Sequence, residues 1–397
     1  MHDGSPPRPL LIYLIAGEPS GDLLGGRLMA GLKGRSGGTI RFAGIGGSAM
    51  RGEGLASLFP MAELTVMGIT EVLPRIPRIL RRVKETLADI EARRPDAIVT
   101  IDSWGFTGRV QSACKQRFPH IPRIHYVAPM VWAWKPKRAR TLARVLDLLM
   151  TLLPFEPPWF EREGLSAVHV GHPVVESGAE TGDGAAFRAR HGIAAEAPVL
   201  VVLPGSRHSE TSRLLPIFAE TVARLATTRP ELRVVVPTVE TVGDAVRRAV
   251  ATWLVPVLVV EATAEKYDCF AAGTCALAAS GTVALELALA GLPAVITYRV
   301  SAATAWMARN LFGFKAKWAT LANMVLDRAV MPEFLQEECR AEAIAPAVAA
   351  LLDDAADRAA RRGLMREAML MLGYGGDSPS DRAAATVLAA IGKARET

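Results

Sequence analysis

The sequence has few cysteines and none of the close pairs that bind metals. Cys114, Cys269, Cys275 and Cys339 are the only ones, and no two of them form a C-x-x-C motif. That spacing argues against a structural zinc site and against a disulfide framework. We therefore predict a protein of a reducing cytoplasm, in which each cysteine is a small core residue.

A long apolar run is also missing. No stretch reaches the roughly 18 apolar residues that a membrane-spanning helix requires. The longest candidate, residues 142–155, is interrupted by Arg144 and Asp147. The first apolar run ends in Gly-Glu-Pro-Ser-Gly-Asp at residues 17–22, which no signal-peptidase site resembles. These features predict a cytoplasmic or peripheral protein.

The excess of positive charge is modest. A formal charge of +6 over 397 residues favours an anionic ligand or a lipid surface over dedicated nucleic-acid binding. Residues 17–22 have no Walker A lysine, so a nucleoside-triphosphate P-loop is not expected there. Ser20 and Gly21 in this turn are small enough to let a ligand approach the backbone.

What the sequence does contain is a repeated alternation of apolar runs and helical segments. Half of the residues are apolar and 22% are charged, which suits parallel strands covered by helices on both faces. The chain is long for one core. We predict an α/β fold of two Rossmann-like, doubly wound domains, residues 1–180 and 181–397, and we allow the last helices to pack back on the first domain. Residues 176–197 are the expected passage between the domains.

The most informative stretch is residues 278–288, which follow a strand end with a turn and a short apolar helix. Its turn, Ser280-Gly281-Thr282, offers the small residues, hydroxyls and unpaired N–H groups that hold a phosphate at a helix start. Glu286, one turn later, is placed to accept two hydrogen bonds from a ribose. The alternative is an ordinary βα turn with a solvent-facing glutamate.

Two other strand ends carry candidate chemistry. Residues 44–49 fit G-x-G-x-x-A, and Glu63 follows at a distance suited to a ribose carboxylate, so a dinucleotide oxidoreductase is an alternative function. Asp102 ends the apolar run of residues 96–102, where open α/β sheets bind ligands. It either caps the next helix or faces the cleft as a reactive carboxylate.

Residues 64–90 join an apolar loop to a basic, amphipathic segment. An apolar loop beside arginines is typical of segments that dock on anionic lipid, and core packing of the helix is the alternative. The residues predicted to contact membrane or acyl chains are Leu64, Val66, Met67, Ile69, Val72, Leu73 and Ile76.

Taken together, the motifs resemble the lipid-A-disaccharide synthases, glycosyltransferases of bacterial lipid A assembly. The matching segments lie at residues 17–22, 67–72, 101–102, 125–134, 203–207, 279–286 and 335–339, in the family's order. Two positions depart from the family pattern: Ala322 precedes Asn323 where the family has proline, and Ser103-Trp104-Gly105 replaces an Ala-Pro-Asp-like turn. The second departure concerns the acceptor pocket.

The resemblance implies a B-type glycosyltransferase, whose two domains face a cleft that holds the active site. It implies transfer of 2,3-diacylglucosamine from its UDP derivative to the 6-hydroxyl of 2,3-diacylglucosamine 1-phosphate, giving the β-1,6-linked disaccharide phosphate and UDP. Such an enzyme lies on the inner face of the inner membrane of a Gram-negative bacterium, in contact with anionic lipids. We expect no nucleic acid, no cofactor and no metal, and we leave a homodimer open.

The chemistry of inverting transfer assigns roles to the candidate residues. Asp102 is the expected base for the acceptor hydroxyl, because the reaction must remove that proton. Arg207 is expected to hold the diphosphate, since a guanidinium can bind it with paired hydrogen bonds. The remaining predicted substrate-binding residues are Ser20, Gly21, Ser280, Gly281, Thr282 and Glu286, and the resemblance adds Asn323 and Gln336, which match family positions near the donor. A non-catalytic sugar-nucleotide-binding protein of the same fold is the other alternative.

Overall fold

The computed structural model describes residues 8–64, 76–133, 136–301 and 317–396, and its strands form from the apolar runs of the sequence. The chain divides into two compact units. The first runs to Pro173 and is completed by the C-terminal stretch from Gly376, and the second is Val174–Gly375. All four cysteines are buried and free, as predicted.

The boundary between the two units lies after Pro173, earlier than the boundary predicted after residue 180. Residues expected to form a passage instead pack within the second unit. The N–H of Asp183 donates to Asp268 Oδ1 at 2.8 Å, and a Cβ at Gly182 would lie 2.0 Å from the Tyr267 carbonyl oxygen. A composition rich in glycine, alanine and glutamate therefore marks a closely packed segment here, not a linker.

The first unit is built on a parallel sheet with six described strands in the order β2-β1-β3-β4-β5-β6. Successive side chains of β1 point to opposite faces, as strand geometry requires. Ile12 and Leu14 join the core beneath the first and last helices, while Tyr13 and Ile15 join the core on the other face. The strands are β1 Leu11–Ala16, β2 Arg41–Ile45, β3 Ala97–Ile101, β4 Arg123–Tyr126, β5 Leu148–Thr151 and β6 Ser166–His169.

Helices cover both faces of this sheet. They are α1 Pro19–Arg35, α2 Ser48–Gly52, α3 Ile76–Arg93, α4 Trp104–Arg117, α5 Arg138–Ala143, α6 Pro157–Glu161 and the C-terminal helix Pro379–Glu396, which is α15 in chain order. Helix α15 packs on α1, where a Cβ at Gly31 would lie 3.0 Å from the carbonyl oxygen of Ser380.

The second unit repeats the design, with described strands in the order β12-β11-β10-β7-β8-β9. Its strands are β7 Val199–Leu203, β8 Arg233–Thr238, β9 Val257–Glu261, β10 Cys275–Ala279, β11 Ala294–Tyr298 and β12 Glu333–Leu335. Its helices are α7 Gly184–Arg190, α8 His208–Ala226, α9 Glu240–Val250, α10 Ala262–Ala272, α11 Thr282–Leu289, α12 Leu321–Leu326, α13 Ala341–Asp353 and α14 Ala355–Met371.

Each sheet has a point where the strand order reverses, and both points carry predicted site residues. In the first sheet β1 pairs with both β2 and β3, and Ala16 is in register with Ile101. In the second, β7 pairs with both β8 and β10, and Leu203 is in register with Ala278. Ligands of open α/β sheets bind outside the carboxyl ends of the strands at such switch points.

Two helices that follow these strand ends begin earlier than their apolar patterns predict. The apolar pattern of the first starts at Leu23, but the helix begins at Pro19, because proline is well suited to the first helical turn. The apolar pattern of the helix after β7 starts at Leu214, but the helix begins at His208, with Glu210 in its first turn. In both cases the polar first turn lies at the switch point.

Candidate active site

Asp102 lies at the switch point of the first sheet in an unusual backbone conformation. Its φ is 50°, that of Ser103 is 47°, and that of Val127, at the end of the neighbouring strand, is 80°. Such values are sparsely populated by residues with side chains, and a β-branched valine there is an outlier. Strained residues of this kind cluster at functional sites. The observation makes this edge of the sheet a candidate site.

Two carboxylates meet at Ser103. Asp102 Oδ1 accepts a hydrogen bond from the Ser103 N–H at 2.7 Å, and Glu18 Oε1 accepts one from the Ser103 hydroxyl at 3.1 Å. Ser103 itself is the residue that precedes helix α4, and it makes no side-chain capping bond. In the described part of the chain the Asp102 carboxylate bonds only the N–H of Ser103, which precedes the helix, so it makes no capping bond to an N–H of α4. The capping alternative is therefore not supported.

A cavity of about 400 Å³ opens beside Asp102. Its lining combines carboxylates, arginines and apolar side chains, a mixture suited to an amphipathic ligand. The lining residues are Glu18, Leu64, Ile79, Leu80, Asp102, Ser103, Trp104, Gly105, Phe106, Arg109, Pro129 and Arg138. Ser20 and Gly21 are not among them: Ser20 is exposed in the first turn of α1, and Gly21 packs against the carbonyl of Ile101.

The wall behind this cavity is a buried polar chain. The ring of Trp104 meets His125 edge-on, with 4.9 Å between ring centroids. His125 Nδ1 lies 2.8 Å from the Thr100 hydroxyl, which also accepts from Gln111 Nε2 at 2.9 Å. Burial lowers the pKa of His125 to about 3. The imidazole is therefore neutral, and it supports Trp104 without adding charge.

The glycine-rich turn at residues 44–49 has N–H groups that are occupied within the protein. The carboxylate of Asp22, a buried residue in α1, accepts hydrogen bonds from the N–H groups of Gly47, Ala49 and Met50 at 2.6, 2.9 and 3.1 Å. Those are the donors that a pyrophosphate would need. Glu63, the expected ribose ligand, is instead paired with Arg82 at 2.6 Å, which lowers its pKa. The N–H groups of the turn and the carboxylate of Glu63, which the dinucleotide alternative requires, are thus both bonded within the protein.

The second switch point brings most of the predicted donor residues together. Arg207, Ser280, Gly281, Thr282 and Glu286 all line a cavity of about 470 Å³. Helix α11 begins at Thr282, so its unpaired N–H groups lie at this cavity. The other lining residues are Leu203, Pro204, Gly205, Ser206, Glu210, Pro237, Val239, Ala262, Lys266, Ala279 and Val283.

Hydrogen bonds with neighbouring residues hold the side chains of Glu286 and Arg207 at this cavity. Glu286 Oε1 accepts from Lys266 Nζ at 2.8 Å and from the Tyr267 hydroxyl at 3.2 Å. Arg207 Nη1 donates to Glu210 Oε1 at 2.9 Å, although the arginine side chain is 75% exposed. The sequence reasoning missed Lys266, which lies on α10 in no motif. It is recognisable only from the fold.

Asn323 and Gln336 have other surroundings and line neither cavity. The Asn323 side chain is fully buried, and its amide donates to the Met331 carbonyl and to Glu333 Oε1, both at 2.8 Å. A direct contact between this amide and a ligand is therefore not available. Asn323 organises the loop before β12, and Ala319 in the same network accepts from Ser280 at 3.3 Å. Gln336 is half-buried, with a φ of 50°.

The predicted acyl-contact segment is described only in part. Leu64 lines the first cavity, whereas Val66, Met67, Ile69, Val72 and Leu73 lie outside the described residues. Ile76 begins helix α3, which adds Ile79 and Leu80 to the cavity. Farther along α3, Leu87 and Ile90 join the core. Within the described ranges, no helix is both long and apolar enough to cross a membrane, and no acidic, histidine or cysteine cluster suits a metal ion.

Two doubly wound parallel sheets, each with a polar cavity at its switch point, are typical of glycosyltransferases of the B type. MurG from Acinetobacter baumannii shares this fold with a TM-score of 0.59 at 15% identity, over 97% of this chain and 100% of MurG. A family model described as lipid-A-disaccharide synthetase matches residues 12–385. The chain belongs to the lipid-A-disaccharide synthetase family, which confirms the resemblance and the predicted fold class.

Two curated relatives match along nearly their whole length. The lipid-A-disaccharide synthase of Paramagnetospirillum magneticum is 62% identical over 387 residues, which cover 98% of this chain and 99% of that protein. The synthase of Rhodospirillum centenum is 51% identical over 386 residues, which cover 97% of this chain and 96% of that protein. The similarity therefore includes both units and both cavities.

Proposed function

We propose that this chain makes the lipid A disaccharide by transferring 2,3-diacylglucosamine from UDP-2,3-diacylglucosamine to the 6-hydroxyl of 2,3-diacylglucosamine 1-phosphate. The observation that carries the proposal is the division of chemistry between the two switch points. A carboxylate lies at one, and cations with a helix start lie at the other. An inverting transfer needs a base for the acceptor and positive potential for the leaving UDP.

The cavity of the second unit is the proposed donor site. Arg207 is exposed enough to close on the diphosphate with paired hydrogen bonds, and the N–H groups at the start of α11 point to the same space. Glu286, fixed by Lys266, is placed to accept from the ribose hydroxyls. These groups stabilise the negative charge that grows on UDP as the anomeric bond breaks.

The cavity of the first unit is the proposed acceptor site. Asp102 Oδ1 is engaged by the Ser103 N–H, so Oδ2 is the oxygen that receives the proton of the 6-hydroxyl. The hydroxyl oxygen then attacks the anomeric carbon, and UDP departs from the opposite face. The apolar lining from Leu64, Ile79 and Leu80 supports acyl-chain contact beside the reacting sugar.

The proposal extends to the membrane surface. Both substrates carry acyl chains, and Leu80 on α3 is 54% exposed next to cations at Arg78, Arg81 and Lys84. We propose peripheral attachment to anionic lipid on the inner face of the inner membrane. Co-sedimentation with anionic vesicles at low salt, and release by high salt or detergent, is the expected result. A protein that stays in the supernatant at low salt contradicts the attachment.

The test of the reaction is release of UDP from labelled donor on addition of acceptor. We expect Asp102→Asn to lower turnover by about 10²- to 10⁴-fold, the usual contribution of a positioned base, while UDP affinity stays unchanged. Near-normal turnover by this variant would show that Asp102 is not the base. A wild-type protein that binds UDP but releases none from donor and acceptor would instead favour a non-catalytic sugar-nucleotide-binding protein.

A further inference from the structure

The proposed proton transfer leaves part of the first cavity unused. Besides Asp102 and its apolar wall, the cavity is lined by the guanidinium groups of Arg109 and Arg138. Arg109 is on the exposed face of α4, and Arg138 is the first residue of α5. Two arginines from different helices at one cavity form an arrangement suited to a compact anion.

Arg109 keeps its charge available for a ligand. In the described part of the chain its hydrogen bond is made to the carbonyl of Gly105, one helical turn earlier, and no carboxylate is paired with it. One of its N–H groups is thereby engaged, and a guanidinium has five. The bond folds the side chain back along α4 toward the N-terminal end of the helix, which follows Asp102 and Ser103 in the chain.

Two other arginines on the same helices lie outside this cavity. On α4, Arg117 pairs with Glu91 at 2.7 Å, and next to Arg138 on α5, Arg140 pairs with Glu163 at 2.9 Å. Neither Arg117 nor Arg140 lines the cavity. The carboxylates that do line it, Glu18 and Asp102, are both hydrogen-bonded to Ser103. The two acidic side chains of the cavity are thus both bonded to Ser103, shortly after the end of β3.

We infer that Arg109 and Arg138 bind the anomeric phosphate of the acceptor and so determine which sugar occupies this cavity. The inference rests on the proposed function. Donor and acceptor carry the same diacylglucosamine and differ at the anomeric position, where one has a phosphate monoester and the other a nucleoside diphosphate. A monoester approaches two negative charges at neutral pH and presents three oxygens to the paired guanidiniums.

The test combines variants of the protein with variants of the ligand. Initial rates at saturating donor are measured for the acceptor with its 1-phosphate and for the same diacylglucosamine without it. In the wild type we expect removal of the phosphate to lower kcat/KM by about 10- to 100-fold, as expected for hydrogen bonds to a charged group. In Arg109→Gln and Arg138→Gln that preference is expected to shrink, because only the phosphorylated acceptor loses a partner.

Arg117→Gln and Arg140→Gln are the matched controls, and both are expected to keep the wild-type preference for phosphate. Melting temperature and UDP affinity, measured on each variant, separate misfolding from lost recognition. An equal fall in kcat/KM for both acceptors in Arg109→Gln, with normal melting, would overturn the inference and leave the proposed reaction intact. Failure of the wild type to release UDP with either acceptor would overturn the proposed reaction, and this inference with it.

Discussion

The ammonium of Lys266 lies 2.8 Å from Glu286 Oε1, and the hydroxyl of the next residue, Tyr267, lies 3.2 Å from the same oxygen. Helix α10 therefore holds a carboxylate that belongs to α11. The Glu286 side chain keeps 18% exposure and lines the cavity of the second unit, the proposed donor cavity. A glutamate fixed in this way is a pre-oriented acceptor for hydroxyl groups, since its rotamer is set before a ligand arrives.

The first prediction concerns ribose recognition. We expect Glu286→Ala to weaken UDP binding by about 1–3 kcal/mol, the range for hydrogen bonds to a charged group. Calorimetry with UDP and with 2′-deoxy-UDP measures the effect. Wild type should prefer UDP, and the variant should bind both alike. Asp244→Ala, an exposed acid on α9, is the control. A variant that still prefers UDP would show that Glu286 does not contact that hydroxyl.

The second prediction concerns the diphosphate. We expect Arg207→Ala to weaken UDP binding by about 1.5–3 kcal/mol and to leave uridine binding unchanged, because only the phosphates contact the guanidinium in the proposed site. Arg213→Ala is the control, since Arg213 is on α8 but does not line the donor cavity. Equal losses for UDP and uridine would indicate a structural role for Arg207, and an unchanged UDP affinity would refute the assignment.

The sequence was most informative where chemistry follows a buried strand directly. Arg207 comes shortly after β7, and Ser280 immediately after β10, so the apolar runs and the parallel topology bring them to one edge. Asp102 follows β3 in the same way. The local sequence pattern is sufficient to predict where such residues lie, because the carboxyl ends of parallel strands meet at switch points.

Residues whose role depends on a partner distant in sequence were not predictable. Lys266 acts on Glu286 from a helix that precedes β10, and no spacing rule connects the two. Asn323 matched a family motif, yet its amide is used by Met331 and Glu333. The G-x-G-x-x-A pattern at residues 44–49 was misleading for a similar reason. Its N–H groups are occupied by a carboxylate more than twenty residues earlier in the chain, that of Asp22.

The third prediction follows from that carboxylate. Asp22→Ala leaves three N–H groups without their acceptor, those of Gly47, Ala49 and Met50. At about 1 kcal/mol or more for each unsatisfied group, we expect the free energy of unfolding to fall by roughly 3 kcal/mol. UDP affinity should not change, because the donor cavity lies in the other unit. Denaturant unfolding of Asp22→Ala measures the loss, with Asp22→Asn, which keeps one acceptor oxygen, expected to lose less.

Because the Asp22 carboxylate occupies the N–H groups of this turn, we predict that nicotinamide dinucleotides do not bind there. A titration of the wild-type protein with NADH should give no change in nicotinamide fluorescence. A fluorescence change in the wild type would contradict the assignment of this turn as a structural one. An unchanged unfolding free energy in Asp22→Ala would contradict the role of the carboxylate.

The last prediction concerns Glu156, whose carboxylate is buried in the first unit. Its Oε1 accepts from Trp132 Nε1 at 3.3 Å, and its Oε2 accepts from the Leu153 N–H at 3.0 Å. Burial raises its pKa from an ordinary 4.5 to about 7. Between pH 4.5 and about pH 7, Glu156 keeps its proton in the folded protein and loses it in the unfolded chain. Stability from this group is thus complete below pH 4.5 and is lost as the pH rises through about 7.

Comparison of the wild type with Glu156→Gln isolates the effect, because glutamine does not titrate. We expect the wild type to lose on the order of 3 kcal/mol relative to the variant across that window, measured as the difference between their free energies of unfolding. The difference is needed because His125 and His172 have the opposite effect on stability. Burial lowers their pKa values to about 3 and about 4. Their contribution to the free energy of unfolding therefore grows as the pH rises toward 6.5. Parallel stability curves for the two proteins would show that the pKa of Glu156 is not raised in the fold, and its bonds to Trp132 and Leu153 would then be those of a carboxylate across that window.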